Sequence, residues 1–193
     1  MKTNNILGIV FANAHDDMLG DLTKNRSMAS VPFGGRYRII DFILSNFANA
    51  GIGHVGLITK TNYLSLTNHL SNGKPWDLDR KKGGLCVLPP YITGAAQYYT
   101  RRLEMLNSVM EFLVSCEEEY VVLGDSDVVT NIDVRAFYKF HETTQADISV
   151  VCARGKKPKG HNNITDFKIS DTGLVQGVSF DDSDDCYYSL DII

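Results

Sequence analysis

The chain has 193 residues, with 19 Lys+Arg against 23 Asp+Glu, a formal charge of −4. Its 44% hydrophobic and 22% charged content is that of a globular protein with one sizeable core, which excludes a disordered chain and, on charge, a general nucleic-acid binder. The longest apolar run, Ile6–Ala12, is far shorter than the roughly 18–20 residues of a membrane-spanning helix and too polar in its flanks for a signal peptide, so a cytoplasmic protein with no membrane partner is expected.

In chain order, Ile6–Ala12 reads as a strand buried on both faces of a parallel sheet. Residues 41–50 carry an apolar face at 40, 43, 44 and 47 and end at Gly51, as a helix with a glycine C-cap does. Residues 55–59 form a second strand and 63–70 a short helix, closed by Ser71-Asn72-Gly73 and Pro75. The polar stretch 71–84 predicts an exposed loop. Leu103, Leu106, Val109, Met110 and Leu113 define one helix over 102–116. A third strand at 120–123, a helix at 134–144 and a fourth strand at 148–153 follow. Phe167-Lys168-Ile169 and Leu174–Phe180 flank Asp171-Thr172-Gly173 as a hairpin. Lys156–Gly160 reads as a charged turn, and Tyr187–Ile193 as a last strand. Alternating strands and helices imply an α/β class with a mostly parallel, doubly wound, Rossmann-like sheet, whose ligands bind at the carboxyl ends of the strands.

Cys86, Cys116, Cys152 and Cys186 are widely spaced and form no CxxC pair. A zinc site built from close pairs is not expected. Reduced, structural thiols are, with Cys116 and Cys152 in the core.

The loop after the first strand is Asn13-Ala14-His15-Asp16-Asp17-Met18-Leu19. A phosphate cradle needs glycines and a cation, and this loop has neither. Asp16 and Asp17 are compatible with a bound metal or with plain solvation, and His15 is a weak ligand candidate. Val31–Phe42 is the most distinctive segment. Gly34 and Gly35 permit a tight backbone there, and Arg36 and Arg38 share a face if it is extended. Two readings stand for it, an anion site or a rigid loop pinned by a buried Arg–Asp41 pair.

Leu22–Ala29, Val31–Asn46, Ser65-Leu66, His69-Leu70, Gly73, Trp76 and Glu119–Asp127 together resemble the bacterial glucose-1-phosphate adenylyltransferases, or ADP-glucose pyrophosphorylases. Tyr188–Ile192 looks like a later strand of that family. The resemblance implies a nucleotide-diphospho-sugar transferase domain. Active members transfer AMP from ATP to glucose-1-phosphate with magnesium, in glycogen biosynthesis.

The departures from the pattern fall in the chemistry. The family's Gly-Gly-x-Gly-x-Arg-Leu loop lies on Asn13–Leu19, without its glycines or arginine. Its Arg-Ala-Lys-Pro-Ala lies on Arg26–Ser30, so Met28 stands for the lysine. Its adenine-reading Leu-Pro-Ala-Gln lies on Leu88–Tyr91, without the glutamine. Its Gly-Thr-Ala-Asp-Ala-Val helix start lies on Arg101–Leu106. The magnesium-binding Gly-Asp lies on Ser126-Asp127 and keeps one carboxylate, a remnant metal site. Since such catalysis rests on positioning and charge neutralisation, the resemblance implies a regulatory, D-type subunit without a confident catalytic residue. Its expected partner is a catalytic glucose-1-phosphate adenylyltransferase subunit in a hetero-oligomer, with Arg26, Arg36 and Arg38 as candidates for a nucleotide or sugar-phosphate effector. The alternatives are a weakly active nucleotidyltransferase using Asp127 and magnesium, and a sugar-phosphate sensor acting alone. By the same resemblance, residues 1–193 are expected to form an incomplete nucleotidyltransferase-like domain, without the family's last strands and its left-handed β-helix domain.

Overall fold

The computed structural model describes residues 5–12, 16–60, 62–89, 101–156, 165–179 and 186–193. The chain divides into two compact units, Met1–Phe140 and His141–Ile193. The first contains strands β1 (Ile6–Phe11), β2 (Pro32–Phe33) and β3 (Tyr37–Arg38), helix α1 (Ile40–Ala50), β4 (His54–Ile58), α2 (Leu64–Leu70) and β5 (Gly84–Leu88). It continues through α3 (Arg102–Ser108), α4 (Met110–Ser115) and β6 (Tyr120–Asp125), and α5 (Val134–Thr144) runs on across the division.

β5, β4, β1 and β6 lie side by side in that order, all parallel. Every residue of β1 is buried, as its unbroken apolar run requires of a central strand. The two faces of β1 are made differently. Leu7, Ile9 and Phe11 pack with Ile58, Met105 and Val109, joining β1 and β4 to α3. On the other face Gly8 and Gly124 leave room for α1. A Cβ at Gly8 would lie 2.7 Å from the Phe47 ring, and one at Gly124 would lie 3.0 Å from Ile43. Here the absent side chain sets how closely helix and sheet approach. Gly51 ends α1 with a positive φ of 81°, and its N–H bonds back to Ala48 O.

In the second unit β7 (Val151–Gly155), β8 (Asp166–Ile169), β9 (Val175–Ser179) and β10 (Cys186–Ile192) pair antiparallel, with β10 between β7 and β8 and β9 on β8. The expected hairpin is β8–β9, its turn closed by Ser170 Oγ accepting the Leu174 N–H at 3.0 Å.

Four expectations are corrected. The helix over 102–116 is two helices, broken at Val109 (φ −113°, ψ 21°). Val109 stays in the core, while the Ser108 hydroxyl donates to Met105 O at 2.6 Å, a local side-chain bond of the kind that competes with helix continuation. The stretch 71–84 is not wholly exposed: Trp76 and Leu78 are buried, the first on a 3₁₀ turn at Lys74–Trp76. The strand expected from 148 begins at Val151, where pairing with Ile192 of β10 starts, and Ile148 before it is exposed. Cys116 and Cys152 are half-buried rather than core residues. The lysine-rich turn falls largely outside the described residues.

Partial burial pushes the thiols of Cys86, Cys116 and Cys152 above their ordinary range near 9.0. These groups keep their protons when folded while the unfolded chain releases them, so stability falls as pH rises through the ordinary thiol range and is unaffected below it. Urea midpoints under reducing conditions at about pH 7.5 and 9.5 are expected to fall with pH, and by less in Cys86→Ser.

Candidate functional site

In an open parallel sheet the binding crevice lies beyond the carboxyl ends of the strands, where the strand order reverses. In the first unit the ends of β1 and β6 flank that point. Phe11 stands beside Asp125, and the Ser126 N–H donates to Phe11 O at 3.1 Å. Asp125 is fully buried. Its Oδ2 accepts from the Arg102 guanidinium, which reaches over from the first residue of α3 and is about one-third exposed. The start of α3 thus delivers a fixed positive charge to the end of β6.

Asp127 lies half-buried two residues further on. The loop that carries it is held by α1, since the buried Asn46 donates to Thr130 O at 3.0 Å and accepts the Ile132 N–H at 3.4 Å. Across the loop after β1, the Asp16 carboxylate accepts the Met28 N–H at 2.7 Å. Met28 is itself buried on a 3₁₀ turn at Met28–Ser30. The position that the resemblance matched to a phosphate-facing lysine is therefore apolar and turned into the core. Asn13, Ala14 and His15 lie outside the described residues, as do Pro90 and Tyr91, and Asp17 and Met18 are described by backbone alone. Leu88 ends β5.

The arginine candidates go to different places. Arg36 lies exposed after a turn in which Gly34 and Gly35 have φ of 59° and 89°, with its guanidinium 5.4 Å from the centre of the Tyr37 ring. Arg38 donates from Nη1 to Ser65 O at 2.6 Å and to Ser65 Oγ at 2.8 Å. Arg26 is half-buried. The expected Arg–Asp41 side-chain pair is replaced by a wider arrangement. Asp41 accepts the Arg38 backbone N–H at 3.0 Å and meets His69 Nε2 at 2.6 Å, and the His69 ring sits edge-on to Trp76. Arg38, Asp41, Ser65, His69 and Trp76, all among the residues that carry the resemblance, form one structural network joining β3 and α1 to α2.

Of the described carboxylates at these strand ends, Asp127 is the one that would hold a magnesium ion. Magnesium takes oxygen ligands, usually one or two carboxylates and the substrate phosphates. Asp125 is engaged by a guanidinium, which leaves Asp127 as the one carboxylate matched to the family's metal ligand. Asp125 and Arg102 were missed as site residues because a salt bridge across 23 positions leaves no local pattern; the Gly-Asp-Ser-Asp sequence was visible, its partner was not.

A family model described as nucleotidyl transferase matches residues 8–163. The chain is 40% identical over 147 residues to the glucose-1-phosphate adenylyltransferase of Pseudothermotoga lettingae, covering 76% of this chain and 35% of that protein. It is 36% identical over 151 residues to that of Clostridium kluyveri, covering 78% and 39%, and 38% identical over 151 residues to that of Bacillus cytotoxicus, covering 78% and 40%. The chain therefore spans 35–40% of the length of these relatives. A solved structure from Bacillus anthracis, described as a glucose-1-phosphate thymidylyltransferase in complex with a sucrose, superposes with a TM-score of 0.71 at 15% identity, covering 97% of this chain and 70% of that one. The last likeness shows the nucleotide-diphospho-sugar transferase fold, and with the family match over residues 8–163 the chain belongs to the nucleotidyl transferase family.

Proposed function

We propose that this chain belongs to a non-catalytic, regulatory subunit that modulates a catalytic glucose-1-phosphate adenylyltransferase partner in ADP-glucose synthesis. The observation that carries the reading is the Arg102–Asp125 pair at the end of β6. A guanidinium engages a buried carboxylate at the strand ends where a nucleotide would bind, and Met28 supplies no countercharge to a phosphate. Each preorganised charge lost from such a site costs about 10²–10³ in rate. Arg26 and the exposed Arg36 remain available to a nucleotide or sugar-phosphate effector, whereas the guanidinium of Arg38 is committed to Ser65.

The test is a two-part assay. Incubated alone with ATP, glucose-1-phosphate and magnesium, the protein is expected to release no pyrophosphate. Added to a catalytic glucose-1-phosphate adenylyltransferase from the same source, it is expected to change that enzyme's substrate affinity, as coupling between subunit states requires. Turnover alone at the rate of a catalytic subunit would establish the enzymatic alternative, in which Asp127 still serves a metal. Sugar-phosphate binding with no effect on the catalytic subunit would establish the sensor.

A further inference from the structure

At the opposite, amino-terminal end of the parallel strands lies a second constellation, to which neither the resemblance nor the proposed function gives a role. His54 is the first residue of β4, and Cys116 and Glu118 lie in the short segment between α4 and β6. One ligand atom from each, a ring nitrogen, a thiol sulfur and a carboxylate oxygen, come within 4.8 Å of one another. They line a cavity of about 510 Å³ together with Ile6, Arg80 and Lys82.

Three features make this more than a chance grouping. The first is that the groups are held in place. The His54 ring stands edge-on to Phe112. The segment bearing Cys116 and Glu118 is fixed by Asn5, which accepts the Glu119 and Tyr120 N–H groups and donates to Glu119 Oε2. The second is charge. The two cations on the cavity wall are each paired with a carboxylate, Arg80 with Asp77 and Lys82 with Glu117 at 2.9 Å, the latter on the same wall. The third is an open valence. Glu118 Oε1 meets His54 Nδ1 at 2.9 Å, but its Oε2 is buried and has no hydrogen-bond partner among the described residues, a costly state for a carboxylate oxygen.

We infer that His54, Cys116 and Glu118 bind a divalent transition-metal ion of the zinc class, with a fourth position open to the cavity. Zinc accepts N, S and O donors at about 2.0–2.3 Å in tetrahedral geometry, which sets its ligands about 3.3–3.8 Å apart. Closing the widest edge of the cluster takes a movement of about 1 Å on that basis. On binding, the Cys116 thiol, which now donates to Phe112 O, gives its proton to solvent and ligates as thiolate. His54 ligates as neutral imidazole, the proton of its contact with Glu118 passing from Nδ1 to Nε2 where Nδ1 is the ligating nitrogen. Thiolate, carboxylate and neutral imidazole then carry two negative charges against the ion's two positive ones. The soft sulfur selects zinc, cobalt or copper over magnesium. This site is independent of the regulatory reading and would stand if that reading failed.

The experiment is a cobalt titration of the full chain, reduced and stripped of metal. A thiolate-to-cobalt charge-transfer band is expected to saturate at one ion per chain, to be displaced by zinc and to persist in excess magnesium. Cys116→Ser is expected to abolish the band. His54→Ala and Glu118→Gln are each expected to weaken binding about tenfold or more, while Cys86→Ser, Cys152→Ser and Cys186→Ser leave it unchanged. Far-ultraviolet dichroism verifies folding, and if Cys116→Ser does not fold the other two ligand variants decide. No band, a band retained in folded Cys116→Ser, or affinity unchanged in both His54→Ala and Glu118→Gln would each overturn the assignment.

Discussion

Arg102→Ala is expected to lower the unfolding free energy by about 3 kcal/mol without producing adenylyl transfer. The carboxylate that Arg102 serves is fully buried at the end of β6. Truncating one partner of a buried ion pair costs about 3–5 kcal/mol, because the remaining charge stays out of water. The partial exposure of the guanidinium places this case at the lower end of that range. Asp125→Asn keeps the shape of the side chain and removes its charge, so the double variant Arg102→Ala/Asp125→Asn is expected to recover about 1 kcal/mol or more relative to additivity. Urea denaturation of the four proteins measures the cycle. Strict additivity would show that the pair is not coupled and would weaken the reading of Arg102 as a built-in countercharge.

Phe47→Ala is expected to cost about 3–5 kcal/mol, with little change in the dependence of stability on urea concentration. Phe47 is fully buried on α1, its ring directly over Gly8 of β1. The loss comprises the transfer of an aromatic ring and the cavity left against a central strand. A second change makes the geometry testable. Gly8→Ala alone is expected to cost about 1–3 kcal/mol by overpacking, since its Cβ would lie 2.7 Å from the Phe47 ring. In the Phe47→Ala background the same methyl enters vacated space and costs much less. Equal costs in the two backgrounds would refute the account of Gly8 as the residue that seats α1.

Both predictions concern contacts that close over long stretches of chain, and legibility in the sequence follows the same division. Local signals were sufficient where one residue type governs its own neighbourhood. The apolar run of β1, the α1 stripe ending at Gly51, the helix over Val134–Thr144 and the β8–β9 hairpin all stand close to where pattern places them. They failed at Val109, where the heptad-like stripe continues but the backbone does not, and at Trp76 and Leu78, whose polar neighbours hide two buried side chains.

The family motif shows the same division in the site. Its residues were recognisable as a string, but their roles were not. Arg38 turns to Ser65, and Asp41 holds His69 instead of the guanidinium of Arg38, because a hydrogen-bonding group buried at a helix start takes whichever partner the fold brings to it.

The amino-acid sequence by itself determined the α/β class and the family, since these depend on which residues are present and in what order. Tertiary structure alone decided that Arg102 meets Asp125 and that His54, Cys116 and Glu118 converge. Parallel strands gather all their beginnings at one edge and all their ends at the other. Residues that no local pattern connects thus become neighbours, and the cysteines that form no motif in the chain include one that stands in a ligand set.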